Sequence, residues 1–435
     1  MTSSDSMHDD VCFLPATEMA SLVRSKRLSP VEIVTALLAR IDRTNAPINA
    51  FVTLTAEKAL EQAEVAARIL SRTPALELPA LFGLPVTVKD LTPTAGVRTT
   101  FGSKHYADHV PDEDGVIWAR LKAAGAILLG KTTTPEFGMG TVTESPLTGR
   151  TSNPWDVTRT TGGSSGGAAA AVAAGMGPLA TGSDGGGSIR VPASYCGVVG
   201  LKCSRGRIPI YSEANPFETV DVVGPITRTV ADNALMLTIV AGPHPYDPFS
   251  LLDTGIDYVA EIANSNVTGL RIAISPELGN PPIEQAVREG IERAGQTFVG
   301  LGAHVDAVEL NLVDPMEYFK RWWGPFIELT VRDNVQSAGG DLSDSDASVL
   351  AFISDVAGMT AIDHLRVQLH EREKIHRAFA DVFLQHDLLL TATTPSVAFA
   401  HPGPEGGPVE VAGKRVREPS LDNQRCTEAV SHAGY

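Results

Sequence analysis

Two glycine-flanked serine clusters are the residues most suited to chemistry in this 435-residue chain. Gly162-Gly163-Ser164-Ser165-Gly166-Gly167 contains a G-x-S-x-G pattern, and Gly182-Ser183-Asp184-Gly185-Gly186-Gly187-Ser188 places another serine 24 positions after Ser164. Glycines beside a hydroxyl let backbone N–H groups and a substrate carbonyl approach it closely, which suits nucleophilic attack. A rival chemistry is phosphate binding, because residues 125–132, Gly-Ala-Ile-Leu-Leu-Gly-Lys-Thr, fit the P-loop pattern and would make the chain a nucleotide-binding protein. A third is the hydrolase nucleophile elbow at Ser164, with Asp363 and His401 as the downstream acid and base.

The elements that would position these groups discriminate among them. A phosphate cradle needs a flexible loop feeding a helix, whereas residues 126–129 are strand-like and Pro135 blocks an early helix. The elbow needs a strongly apolar strand before it, but residues 153–160, Asn-Pro-Trp-Asp-Val-Thr-Arg-Thr, read as loop. Gly175-Met176-Gly177-Pro178-Leu179-Ala180 mimics a dinucleotide fingerprint yet follows a helix instead of a strand. His370-Glu371 and His376 are spaced unlike a zinc motif, and a solvated charged helix accounts for them. Trp322-Trp323 reads as packing, with a pocket wall as the alternative.

Around these sites the chain has α/β character. Ser29-Pro30-Val31-Glu32 is a capping box with Pro at the first helical position, followed by Ile33, Leu37, Leu38 and Ile41 at helical spacing. A helix is expected over 56–70, a strand over 84–88 ending at Lys89-Asp90, a helix over 115–124, and an Ala-rich helix over 167–174. Further on, strands are expected at 270–274, 303–310 and 388–391, with a helix over 282–298.

Gly83-Leu84-Pro85-Val86-Thr87-Val88-Lys89-Asp90, the Ser164 cluster and the Ser188 cluster, in that order, resemble the amidase signature family of serine hydrolases. The resemblance runs from the N-terminal helices through Gly200-Leu201-Lys202 to Asp387-Leu388-Leu389-Leu390-Thr391. It implies an α/β fold with a mixed central β-sheet covered by helices on both faces. It also implies one domain over 1–435, with a helical region at 1–75, a catalytic core at 76–240 and a second half at 241–435. It assigns Ser188 as nucleophile, Ser164 as intermediate serine and Lys89 as base, with a cis peptide bond before Ser164, and calls for no cofactor and no metal.

The chemistry implied is self-consistent. A serine hydroxyl needs a base to take its proton, and a lysine amine can serve through a bridging hydroxyl only when neutral. From a reference pKa of about 10.4, that requires burial to lower Lys89 by roughly 3 units. The N–H groups of Gly185, Gly186 and Gly187 can surround a developing oxyanion, with Ser165 and Asp184 holding the network. Phe137, Gly138 and Met139 are candidate pocket walls, together with the segment around Trp322.

The chain departs from the family pattern at Thr161, Gly185 and Cys203, and the Ser-Asp-Gly-Gly-Gly-Ser form is similar to hydrolases of 6-aminohexanoate cyclic dimer and aryl amides. The resemblance leaves a second reading within the family, the glutaminase component of a glutamyl-tRNA amidotransferase. Family members also continue past this C-terminus, so Ser431-His432-Ala433-Gly434-Tyr435 is expected to break off within an element of a longer protein.

Lys plus Arg total 35 against 51 Asp plus Glu, a formal charge of −16. Such a surface repels phosphate backbones and anionic lipid, which argues against nucleic acid or membrane partners, while the resemblance implies a small-molecule amide as substrate and leaves a homo-oligomer open. Asp5, Asp9 and Asp10 argue against a signal peptide, and Cys12, Cys196, Cys203 and Cys426 are too sparse for a disulfide framework. A cytoplasmic protein is the expectation.

Overall fold

The computed structural model describes residues 11–212, 214–279, 282–402 and 407–435. Asp5, Asp9 and Asp10, on which the argument against a signal peptide rests, lie outside the described residues.

The helix α1 (Ala16–Arg24) leads into α2 (Pro30–Ile48), which starts as expected: Glu32 accepts from the Ser29 amide and Ser29 Oγ accepts from the Val31 amide. Such a cap contributes about 1 kcal/mol. Strand β1 (Phe51–Leu54), helix α3 (Ala56–Arg72), strand β2 (Pro85–Lys89), helix α4 (Val116–Ala123) and strand β3 (Ile127–Thr132) follow. The segment expected to be loop before Ser164 is instead a small hairpin, β4 (Ser152–Asn153) against β5 (Asp156–Thr160), closed by an Asn153-Pro154-Trp155 turn whose Asn153 side chain accepts from the Trp155 amide. Then come α5 (Gly166–Ala173), β6 (Leu179–Asp184), α6 (Arg190–Cys196), β7 (Val199–Gly200), β8 (Val222–Thr227) and α7 (Val230–Val240).

The central sheet has the order β1-β3-β2-β6-β8-β7. It is mixed: β2 runs parallel to both β3 and β6, whereas β1 on β3 and β8 on β6 are antiparallel. All five residues of β2 are buried, as expected of a central strand between two parallel partners. Val86 and Val88 join the apolar cluster formed with Ile33, Leu37, Ile117, Leu121 and Met236 of the helices on one face. By the two-residue alternation of a strand, Thr87 and Lys89 face the other side, where the Ala-rich α5 lies. That helix can approach closely because it opens with two glycines: a Cβ on Gly167 would overlap Thr133.

The second half builds separately. Strands β9 (Arg271–Ile274), β10 (His304–Ala307) and β11 (Leu388–Leu390) form a parallel sheet of order β10-β9-β11, packed with α8 (Gln285–Gly300) and α10 (Arg372–Phe383), while α9 (Pro315–Ser337) shares an apolar cluster with α10. The strands expected at 270–274, 303–310 and 388–391 are therefore present but belong to this sheet. Glu410–Val411 and Lys414–Arg415 pair as a short hairpin; residues 403–406 lie outside the described residues. Helix α11 (Arg425–Ala433) is capped by Gly434 in the left-handed conformation at φ 90°. Among the described residues, no helix is long and apolar enough to cross a membrane.

Candidate active site

Lys89 is the last residue of β2, only 1% exposed. Its amine donates to Ser164 Oγ at 2.7 Å and to Ser183 Oγ at 2.9 Å. Burial dominates its electrostatics and pulls its pKa down to about 7, against the smaller upward pull of Asp184 and Asp221. A lysine in that state is an acceptor of protons near neutrality, as the proposed chemistry requires.

Ser164 and Ser165 sit at the start of α5, and the Gly163–Ser164 peptide bond is cis. The loop is held from outside by Thr143, whose Oγ1 donates to the Gly162 carbonyl at 2.9 Å and accepts from the Gly166 amide at 3.1 Å. Ser165 joins the two serine clusters. Its amide donates to the Ser188 carbonyl at 3.1 Å, and its hydroxyl donates to the Ser183 carbonyl at 3.2 Å.

Asp184 ends β6 and organises the turn that follows. It accepts from the amides of Ile189 and Arg190, and Arg190 grips it through Nε and Nη2 at 2.9 and 2.7 Å. Burial alone would raise the Asp184 pKa, but the Arg190 guanidinium and its hydrogen bonds hold the carboxyl below its ordinary value. Between these anchors, none of the amides of Gly185, Gly186, Gly187 and Ser188 donates to a protein acceptor among the described residues. Four adjacent N–H groups left open at the start of α6 form a ready environment for an anionic oxygen. Ser188 itself is half-buried, more accessible than Lys89 or Ser164, and its hydroxyl makes no hydrogen bond among the described residues.

The wall beside this turn comes from distant parts of the chain. Asp221 and Trp323 press on Gly185 so closely that a Cβ there would overlap the Asp221 carboxylate and lie 2.8 Å from the Trp323 ring. Burial, and then Glu218 and Asp184 nearby, push Asp221 up to about 8. Trp323 Nε1 donates at 2.7 Å to Glu428 of α11, which also meets His432 Nε2 at 2.8 Å. Of the tryptophan pair, Trp323 thus walls the site, whereas Trp322 packs between His364 and His432. Gly138 lies beside Ser164, while Phe137 and Met139 pack against Val331, Val335, Val349 and Ile353.

Several groups singled out in the sequence are not brought here. Lys131 lies inside β3, and its amine contacts Thr92 O, Thr94 Oγ1 and Thr99 Oγ1 at 2.5 to 2.9 Å, so residues 127–132 form a strand and 125–132 are not a phosphate loop. Asp363 completes the capping box of its own helix with Thr360, and His401 meets Ser152 and Val157 O; neither meets Ser164. His376 faces Ala433 O, and among the described residues no three metal-ligating side chains converge.

Ser183 was missed. Its signal was the spacing Thr181-x-Ser183, which puts two hydroxyls on one face of β6: Thr181 Oγ1 accepts from the Lys89 amide and Ser183 Oγ from its amine.

Residues 32–413 match the family described as Amidase. The chain is 39% identical over 415 residues to an acylamidase of Rhodococcus erythropolis, covering 94% of this chain and 84% of that one. It is 37% identical over 413 residues to a component of the glutamyl-tRNA(Gln) amidotransferase of Moorella thermoacetica, covering 90% and 84%. Among solved structures it resembles a bacterial aryl acylamidase of the amidase signature enzymes, with TM-score 0.89, 29% identity, and 97% and 88% of the two chains covered.

Proposed function

The chain belongs to the amidase family, hydrolases of amide C–N bonds, and we propose that it cleaves a small carboxylic amide through a Ser188 acyl-enzyme. The observation that carries the assignment of roles is the buried Lys89 amine bonded to Ser164 Oγ, with the half-buried Ser188 on the adjoining turn.

In this reading Ser188 Oγ attacks the carbonyl carbon while its proton passes to Ser164, whose own proton moves to the neutral Lys89 amine. The carbonyl oxygen becomes negative facing the amides of Gly185, Gly186 and Gly187, an interaction worth about 10²- to 10³-fold in rate per donor in related chemistry. On collapse the C–N bond breaks, and the proton returns from Lys89 through Ser164 to the leaving nitrogen. Water then attacks the Ser188 ester by the same relay and releases the acid. Ser165 and Asp184 hold the two loops in register, and Gly138, with Phe137 and Met139 behind it, borders the pocket. Lys89, Ser164 and Ser188 need neither metal nor cofactor for these steps.

The likeness to an aryl acylamidase directs the substrate screen toward anilides, with linear and cyclic aliphatic amides beside them. Release of acid and amine in equal amounts is the expected result. A second reading, the glutaminase component of a tRNA amidotransferase, is favoured by the Moorella thermoacetica relative. Copurification with two further proteins and strict preference for glutamine would select it. We place the enzyme in the cytoplasm, as four buried free thiols suggest, acting as one unit over residues 1–435 with neither nucleic acid nor membrane as partner.

A further inference from the structure

The turn from Asp184 to Arg190 is clamped from outside by one residue of α11. Thr427 is 3% exposed, and its Oγ1 donates to the Gly186 carbonyl at 2.6 Å across a sequence separation of 241 residues; the Gln424 carbonyl shares the same proton at 2.8 Å. The Thr427 carbonyl accepts from Arg190 Nη1 at 2.9 Å, and Arg190 is the residue that grips Asp184. A Cβ on Gly187 would overlap the Thr427 hydroxyl, so this oxygen covers the outer side of the turn.

A peptide unit is planar and its C=O and N–H point in opposite directions. Anchoring the Gly186 carbonyl outward on Thr427 therefore fixes the Gly187 N–H inward, toward Ser188. With glycine on both sides, nothing in the local chain resists rotation of that plane. We propose that Thr427 is a positioning residue for the oxyanion hole, holding the Gly186–Gly187 peptide so that its N–H meets the charge that develops on the substrate oxygen. It acts through Gly187 and touches no reacting atom. The proposal rests on the reading of Ser188 as nucleophile and of the glycine amides as oxyanion donors.

The test uses the full chain with Thr427→Val, close in shape but without the donor, and Thr427→Ser, which keeps it. Thr427→Val should lower kcat by about 10- to 100-fold with KM within threefold, and should weaken a boronic acid analogue of the substrate by the same factor, since that inhibitor forms a tetrahedral adduct. Thr427→Ser should restore most of both. A folded Thr427→Val with parental kcat overturns the proposal. So does a loss that leaves boronate affinity unchanged, or one that Thr427→Ser shares in full, because either would mark a packing role. Thr427→Ala is measured alongside in case the valine does not fold, and parental kcat in it counts equally against the proposal. Ser188→Ala separates the two levels: if it turns over normally the proposed function fails, whereas a dead Ser188→Ala with an unimpaired Thr427→Val sinks only the role of Thr427.

Discussion

The amide of Ser165 donates to the carbonyl of Ser188 at 3.1 Å, joining the two glycine-rich loops whose serines carry the proposed chemistry. The start of α5 and the turn before α6 are thereby held as one piece, and the positions of Ser164 and Ser188 are coupled through backbone instead of through their hydroxyls.

Ser188→Ala should abolish turnover, by at least about 10³-fold, while leaving the melting temperature within a few degrees, because a half-buried hydroxyl with no hydrogen-bond partner among the described residues is all that is lost. A fluorophosphonate should label the parent at Ser188. Peptide mapping that finds the label on Ser164 or Ser165 would contradict the assignment.

The pH dependence follows from Lys89. With its pKa at about 7, kcat/KM should climb roughly tenfold per unit below that value and level off above it, as the amine loses its proton. Asp221, itself pushed up to about 8, carries little charge across this limb, so Asp221→Asn should leave its midpoint where it is. EDTA should leave limb and plateau unchanged, since every proton acceptor invoked is a side chain.

Stability should respond to the same residue in the opposite sense from activity. The folded pKa of Lys89 lies below its unfolded value of 10.5, so the unfolded chain binds the extra proton between the two. The destabilisation is complete below pH 7 and fades as the pH rises to 10.5. Its size is on the order of 5 kcal/mol, offset in part by the hydrogen bonds to Ser164 and Ser183. Lys89→Met should therefore be inactive yet gain more in melting temperature at about pH 6 than at about pH 9. An equal change at both values would show that the amine is not held neutral.

Ser183→Ala removes one of the two hydroxyls bonded to the Lys89 amine. The amine then has greater freedom to leave Ser164, and kcat should fall by about tenfold, with KM little changed. Thr should replace Ser183 with a smaller loss, since the acceptor is retained. A Ser183→Ala enzyme with parental kcat would show that Ser164 alone orients the lysine.

Gly186→Ala tests the packing behind the turn. The added methyl would overlap the buried Glu428 carboxylate, which cannot move without breaking its contacts to Trp323 and His432. A loss of about 2 kcal/mol in urea unfolding is expected, together with reduced activity. A variant as stable as the parent would mean that α11 is less firmly seated than its burial indicates.

What the sequence revealed follows the range of the interactions involved. The Ser29–Glu32 capping box and the buried run into Lys89 are set by neighbours within four residues, and both stand where expected. Glycine spacing marks close backbone approach at the two serine loops, whereas the roles proposed for Lys89, Ser164 and Ser188 came from the resemblance of three ordered motifs to a family. The hairpin at 152–160 was not, because its pairing depends on a turn made by the Asn153 side chain and on contact of Arg159 with Ala400. Nothing near Thr427 or Glu428 in the chain hints that they back a turn at Gly186, since those contacts arise only when the two ends of the fold meet.

Thr427 of α11 leaves the ribosome 241 residues after Gly186, the residue it braces. At translation rates of about 5–20 residues per second, some 10–50 s separate the emergence of Ser188 from that of its brace. During this interval the nascent chain holds Lys89, Ser164 and Ser188, the residues proposed to react, around an unsecured turn. Hydrolytic competence should thus arrive late in biogenesis, with the docking of α11, and a ribosome stalled before that helix would carry a silent enzyme.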